Sequence, residues 1–236
     1  MFEAFRVEAL STFASDIDDV IILVTVLVGF WFLLAQAALL GFCVHFRQRD
    51  GRKAQYIAGE GKKQLSWITI PLALIVLCDV YIAVVDGPVW KKVKETLPEA
   101  DRVVRVIGQQ WAWTFVHPGP DGKLDTADDI ETVGELHVEV GKVHHFELSS
   151  RDVLHSFSVP VFRLKQDAIP GRKIVGWFEP TGTGTYDIQC TEICGIGHGL
   201  MPARIHIETP EQHAAWMSER SQTLLASTTS PRAGQE

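Results

Sequence analysis

At 236 residues with a formal net charge of −7, the chain has room for one or two domains. Its sign is the wrong one for nucleic acid, whose binders are basic, so no nucleic-acid partner is expected. The apolar residues are concentrated in two long runs, which argues against a purely soluble protein.

Residues 1–19 carry Glu3, Glu8, Asp16, Asp18 and Asp19 against Arg6. A cleaved signal starts basic, so this stretch reads as an outer N-terminal segment that is retained. Val20 to Val44 contains no charge, with Thr25 and Gln36 its most polar members, and exceeds the roughly 20 residues that span a bilayer core. A second run, Trp67 to Val85, is also long enough, although it includes Pro71 and Asp79. Proline is tolerated in membrane helices because neighbouring groups satisfy the freed carbonyl. Residues 20–86 therefore read as a two-helix transmembrane hairpin in contact with membrane lipid. The connecting loop holds Arg47, Arg49, Arg52, Lys53, Lys62 and Lys63 against Asp50 and Glu60. Basic loops stay in the cytoplasm, which puts both chain ends outside, in the periplasm if the host membrane is a cell inner membrane. Cys43 and Cys78 lie in the apolar runs and read as small packing residues.

Residues 87–100 form a connector, with Lys91, Lys92, Lys94 and Glu95 between Pro88 and Pro98. From 101 to 210 the pattern turns to short alternating segments at Arg102–Ile107, Leu136–Val140 and Val143–Leu148, with Gly141-Lys142 as a turn. Further candidate strands are 156–162, 173–178, 184–189 and 203–208. Seven or so short strands in such a length argue for an all-β sandwich or barrel. Pro210–Leu225 reads as a surface helix, so that 211–236 is a C-terminal helix followed by a flexible tail. The outer region 87–236 has fifteen basic and twenty acidic residues, net −5, which suits a basic protein partner. Asp121, Asp125, Asp128 and Asp129 cluster in one loop, but their spacing does not match an EF-hand; a solvated hairpin tip is the preferred reading over a cation site.

The chemistry lies in Cys190-Thr-Glu-Ile-Cys194-Gly-Ile-Gly-His198-Gly-Leu-Met201. A disulfide would explain the two cysteines but not the histidine and methionine beside them. Thiolates with imidazole suit copper or zinc, and a thioether points to copper, because it is not a usual zinc ligand. Two bridging thiolates hold two ions close together, and each ion then needs an imidazole. The second comes from elsewhere, and His155, opening an apolar strand, is the best candidate. His144 and His145 are adjacent and would face opposite ways on a strand, whereas His137 and His206 lie in alternating strands and read as half-exposed.

This pattern is similar to the copper loop of cytochrome c oxidase subunit II. The likeness extends to Asp152-Val-Leu-His155-Ser, to Leu164–Arg172, to Gly108-Gln-Gln-Trp111-Ala-Trp113, and to the order of a two-helix anchor followed by a β domain. It covers roughly residues 20–210. The resemblance implies a cupredoxin-like domain with a dinuclear copper A (CuA) centre. Cys190 and Cys194 would bridge the coppers, His155 and His198 would be terminal ligands, and Met201 would supply the thioether. Glu192 would give its backbone carbonyl to one copper and turn its carboxylate toward a magnesium or manganese ion shared with a haem-bearing catalytic subunit I. Trp111 would be where electrons arrive from a cytochrome c with a basic face, steered by Asp152 and the acidic loop. Asp167 and Arg172 match residues at the subunit I interface. An electron shared by two coppers changes each bond little, which makes transfer fast. Oxygen reduction would occur in the separate chain.

Two departures stand out. Gln64 occupies the position where many relatives have a proton-conducting Glu, and Asp79 lies within the second apolar run, where a carboxylate is by default a functional hypothesis. Ala112 replaces a frequent aromatic. The leading reading is an electron-transfer subunit of a respiratory oxidase. The alternatives are the equivalent subunit of a copper-dependent nitric oxide reductase and, more distantly, a metal-handling or structural domain.

Overall fold

The fold is described from a computed structural model, which covers residues 7–54 and 56–229. The chain divides into two units, Asp16–Lys91 and a second made of residues 1–15 with 92–236.

The first unit is helical. Helix α1 runs Ala14–His45 and α2 runs Lys62–Trp90, so α1 begins ahead of the uncharged run. Both expose large apolar side chains on all sides, such as Phe30, Leu33, Ile68 and Val84, an arrangement that water penalises and lipid does not. Thr25 donates its hydroxyl to the Ile21 carbonyl at 2.7 Å, so this polar side chain of α1 is satisfied within its own helix. The Gly61 amide at the start of α2 donates to the Gln64 side-chain oxygen at 3.2 Å, so Gln64 serves as a helix cap. The connector does not break the helix at Pro88: α2 passes through it and ends in a single wider turn, Lys91–Glu95.

The second unit is a two-sheet sandwich with ten strands among the described residues. They are β1 (Arg102–Gln109), β2 (Ala112–His117), β3 (Ile130–Val133), β4 (Glu135–Glu139), β5 (His144–Ser150), β6 (His155–Val159), β7 (Leu164–Ala168), β8 (Ile174–Phe178), β9 (Gly184–Cys190) and β10 (Ala203–Glu208). One sheet has the order β3-β2-β1-β5-β8 and the other β4-β10-β9-β6-β7. The turn at Gly141-Lys142 joins β4 to β5 across the two sheets rather than closing a hairpin. Strands β2, β3 and β7 were not among the segments expected from alternation. β2 is buried at Trp113 through His117 on both faces, and so has no period-2 signal to read. Between the sheets lie Trp113, Phe115, Phe146, Phe157 and Phe178, all 1% exposed or less. Helix α3, Pro210–Thr229, covers part of the outer face of β4 and β10 and extends past Leu225; the residues beyond it lie outside those described.

The residues just before α1 belong to the sandwich. Ser11 bridges to Pro180, the Leu10 amide donates to the Val161 carbonyl at 2.8 Å, and Phe13 packs edge-on against Trp177 with centroids 5.2 Å apart. The segment thus serves as a strap on the β domain.

Candidate metal centre

Strand pairing brings together the two distant segments that carry the candidate donors. β6 and β9 are antiparallel neighbours, with Phe157 opposite Cys190. His155 opens β6, and residues 191–202 fold back over the end of the sheet before β10 begins. The Thr191 amide donates to the Ser156 carbonyl at 3.1 Å and fixes the start of this loop. A short 3-10 turn at His198–Leu200 then brings Met201 inward.

The result is a compact set of soft donors. The Cys190 and Cys194 sulfurs are 3.9 Å apart; His155 Nδ1 lies 3.9 Å from Cys190 Sγ, and His198 Nδ1 lies 3.6 Å from Cys194 Sγ. Met201 Sδ is 3.4 Å from Cys194 Sγ, and the Glu192 carbonyl is 3.3 Å from Cys190 Sγ. His155, Cys194 and Met201 are buried, and Cys190 and Cys194 are not joined by a disulfide. Burial, followed by the neighbouring Cys190 thiol, pushes Cys194 up to about 11. Two adjacent sulfurs resist joint ionisation unless positive charge is supplied between them. A donor set of two thiols, two imidazoles and a thioether fits copper.

Supporting groups fix the ligands. His155 Nε2 donates to Asp152 Oδ1 at 2.9 Å, which leaves Nδ1 to face the sulfurs. The other oxygen of Asp152 accepts the Gln110 amide at 2.7 Å, and the Gln110 side chain donates to the Cys194 carbonyl at 2.7 Å. Asp152 is therefore occupied in orienting the His155 ring. The brace from Gln110 was not anticipated, although Gln110 lies inside the segment that resembles the family. Gly108 leaves space for the imidazole, since a Cβ there would come within 3.1 Å of the His155 ring.

Trp111 caps the loop. Its indole lies against Gly195 and Gly197, leaving it 40% exposed, whereas Trp113 is fully buried edge-on to His155. Gly195 adopts φ +129°, which a side chain rarely tolerates, and a Cβ at Gly197 would collide with the Trp111 ring. Around this cap Ile193, Ile196 and Leu200 are exposed by 80% or more (82%, 97% and 81%).

Neighbouring groups hold two carboxylates of the acidic loop. Asp125 forms a two-pronged pair with Arg105 at 2.8 and 2.9 Å, and Asp128 accepts from the Thr126 hydroxyl at 2.7 Å and the Asp121 amide at 3.2 Å.

Residues 102–208 match the family model described as cytochrome c oxidase subunit II, periplasmic domain. An alternative cytochrome c oxidase subunit 2 of Bradyrhizobium diazoefficiens is 34% identical over 86% of this chain and 80% of its own length. The chain belongs to the cytochrome c oxidase subunit II family. A subunit 2 of Thermostichus vulcanus is 31% identical over 83% of this chain and 72% of that protein. Among solved structures, the periplasmic domain of subunit II of cytochrome oxidase from Bradyrhizobium japonicum is 29% identical, with a TM-score of 0.49, covering 55% of this chain and 99% of that one. As a cytochrome c oxidase subunit II, the chain is part of an oxidoreductase complex with a catalytic subunit I. Its two apolar helices and two-sheet sandwich make it a membrane protein with an extramembrane domain.

Proposed function

We propose that this subunit II receives electrons from a cytochrome c at a dinuclear copper A centre and passes them to haem in subunit I. The convergence of Cys190, Cys194, His155, His198 and Met201 within a few ångströms carries this reading. When bound, the copper pair would accept and release single electrons with little change in its bonds. The chain's own part is to hold the donors still. β6 and β9 fix His155 and Cys190, the Asp152 carboxylate turns the His155 ring, and Gln110 ties down the Cys194 peptide. The Glu192 carbonyl is placed to complete the ligand set, and its carboxylate is assigned to a magnesium or manganese ion at the subunit I boundary.

Trp111 is where the incoming electron arrives, half-exposed and laid over the loop between Cys194 and His198. Ile193, Ile196 and Leu200 give its surroundings an apolar contact surface, and the acidic excess of the outer region favours a basic donor by speeding association. The basic loop between the helices is assigned to the cytoplasm, and the sandwich to the periplasmic side of the inner membrane.

Replacing Cys190 or Cys194 by serine in the assembled complex tests the reading. The visible absorption, the EPR signal of an electron shared by two coppers, and oxygen consumption with cytochrome c should all disappear. Retention of all three in either variant would overturn it.

A further inference from the structure

Helix α3 is seated largely on imidazoles. Among its described residues only His213 is buried, with Trp216, Met217, Ser221 and Leu224 partly so. Trp216 is surrounded by three rings: His137 stacks on it at 4.1 Å, His213 at 5.7 Å, and His117 meets it edge-on at 4.9 Å. His117 and His144, 4% and 3% exposed, line a cavity of about 700 Å³ whose other wall is the Ala214 and Met217 side of α3.

Neutral imidazoles pack well in such a seat, and imidazoliums do not. Few negative groups face it. Glu208 on β10 binds His137 Nδ1 at 2.7 Å and His213 Nδ1 at 3.0 Å. Glu139 on β4 is matched by Arg102 on β1 at 3.5 Å, and Asp101, the other carboxylate near His144, is engaged by the Val143 amide and Lys142. Glu135 pairs with His206, which stacks behind His137. Protons on His137 and His213 are therefore met by Glu208 and work against release of the helix. His117 and His144 have no such carboxylate. In addition, His117 Nε2 and Trp216 Nε1 are buried with no hydrogen-bond partner among the described residues, so water admitted beneath α3 would satisfy both.

We propose that α3 is an acid-released cover: as His117 and His144 take up protons, the helix lifts and opens the cavity to solvent, while the sheets and the copper loop stay folded. The sign follows from burial. Above about pH 6.5 both rings are neutral whether α3 is seated or lifted. Below it the lifted form is protonated first, because burial holds His117 down to about 3 and His144 to about 4 in the seated form. Release therefore grows as pH falls toward those values.

The test is hydrogen exchange of the full-length, copper-loaded chain in detergent between pH 7.5 and 5, corrected for the intrinsic pH dependence of exchange. Protection of the α3 amides should fall at least about tenfold between pH 6.5 and 5, while β1, β5 and the copper absorption hold. His117→Phe removes one titrating ring, and His144→Gln keeps a donor for the Glu139 carbonyl; each should shrink the loss at pH 5. Constant α3 protection across the range would overturn the proposal. So would loss of protection by the strands in step with α3, or an unchanged pH response in every variant that folds.

Discussion

The Asp152 carboxylate reaches three groups at once: the His155 ring, the Gln110 amide and the Val153 amide. Burial would raise its pKa, but these donors prevail and hold it below the usual carboxylate range. Asp152→Asn keeps the volume but offers the ring a weaker, less certain acceptor. Copper affinity should fall by about 10–100-fold, measured by competition with a chelator, while the fold survives. At the cap, Gly197→Ala would drive a methyl into the Trp111 indole. Electron transfer from reduced cytochrome c should slow, whereas the copper spectrum should persist because no ligand is touched. An unchanged transfer rate in that variant would count against Trp111 as the point of arrival. The donor loop stands out in the sequence because four soft donors, two thiols, an imidazole and a thioether, fall within twelve positions. The brace from Gln110 was not, since a glutamine beside a tryptophan has no pattern that announces it.

At the scale of elements, strands that alternate were visible and those buried on both faces were not. β5 and β10 alternate buried with more exposed residues, while β2 lies inside the domain along most of its length. His144 and His145 do face opposite sides, one bonding the Glu139 carbonyl and the other the Pro98 carbonyl. His137 and His206 were read as half-exposed, whereas Trp216 covers His137 and leaves its side chain 12% exposed; their stacking was not legible, because it depends on the register of strands nearly seventy positions apart. The strap ahead of α1 was read simply as an outer segment. Phe13 is fully buried against Trp177, so Phe13→Ala should destabilise the domain by about 3–5 kcal/mol. Urea unfolding of the full chain in detergent, followed by tryptophan fluorescence, would show it as a lower midpoint with a similar slope. A shift near zero would mean that the strap adds nothing to stability.

For the whole molecule, pH acts through two buried histidines. Burial first, then neighbouring histidines, pushes His117 down to about 3. Burial likewise brings His144 to about 4, despite its bond to the Glu139 carbonyl. His117 Nε2 is buried with no hydrogen-bond partner among the described residues, so a proton there would gain nothing in return. Above about pH 6.5 both are neutral whether the chain is folded or not. As pH falls below that value the unfolded chain takes up protons first, and stability declines until the folded values are passed. At about 1.4 kcal/mol per group and pH unit, the two together should remove up to ~3 kcal/mol between pH 6 and 5. Thermal unfolding at a series of pH values should show this decline, and His144→Gln should reduce its slope. A stability curve flat between pH 6.5 and 4.5 would contradict the assignment.

Local chemistry determined what the sequence alone could disclose. Apolar runs long enough to cross lipid mark the anchor, alternation marks half-buried strands, and a dense cluster of sulfur and imidazole marks the candidate metal loop. These signals come from neighbours along the chain, so they need no fold to be read. Tertiary structure decided which remote groups meet: Asp152 behind His155, Trp111 over Gly197, the strap on Trp177, and His137 against His206. Those contacts depend on strand order and register, which are set by how the two sheets bury their aromatic core together rather than by any one segment.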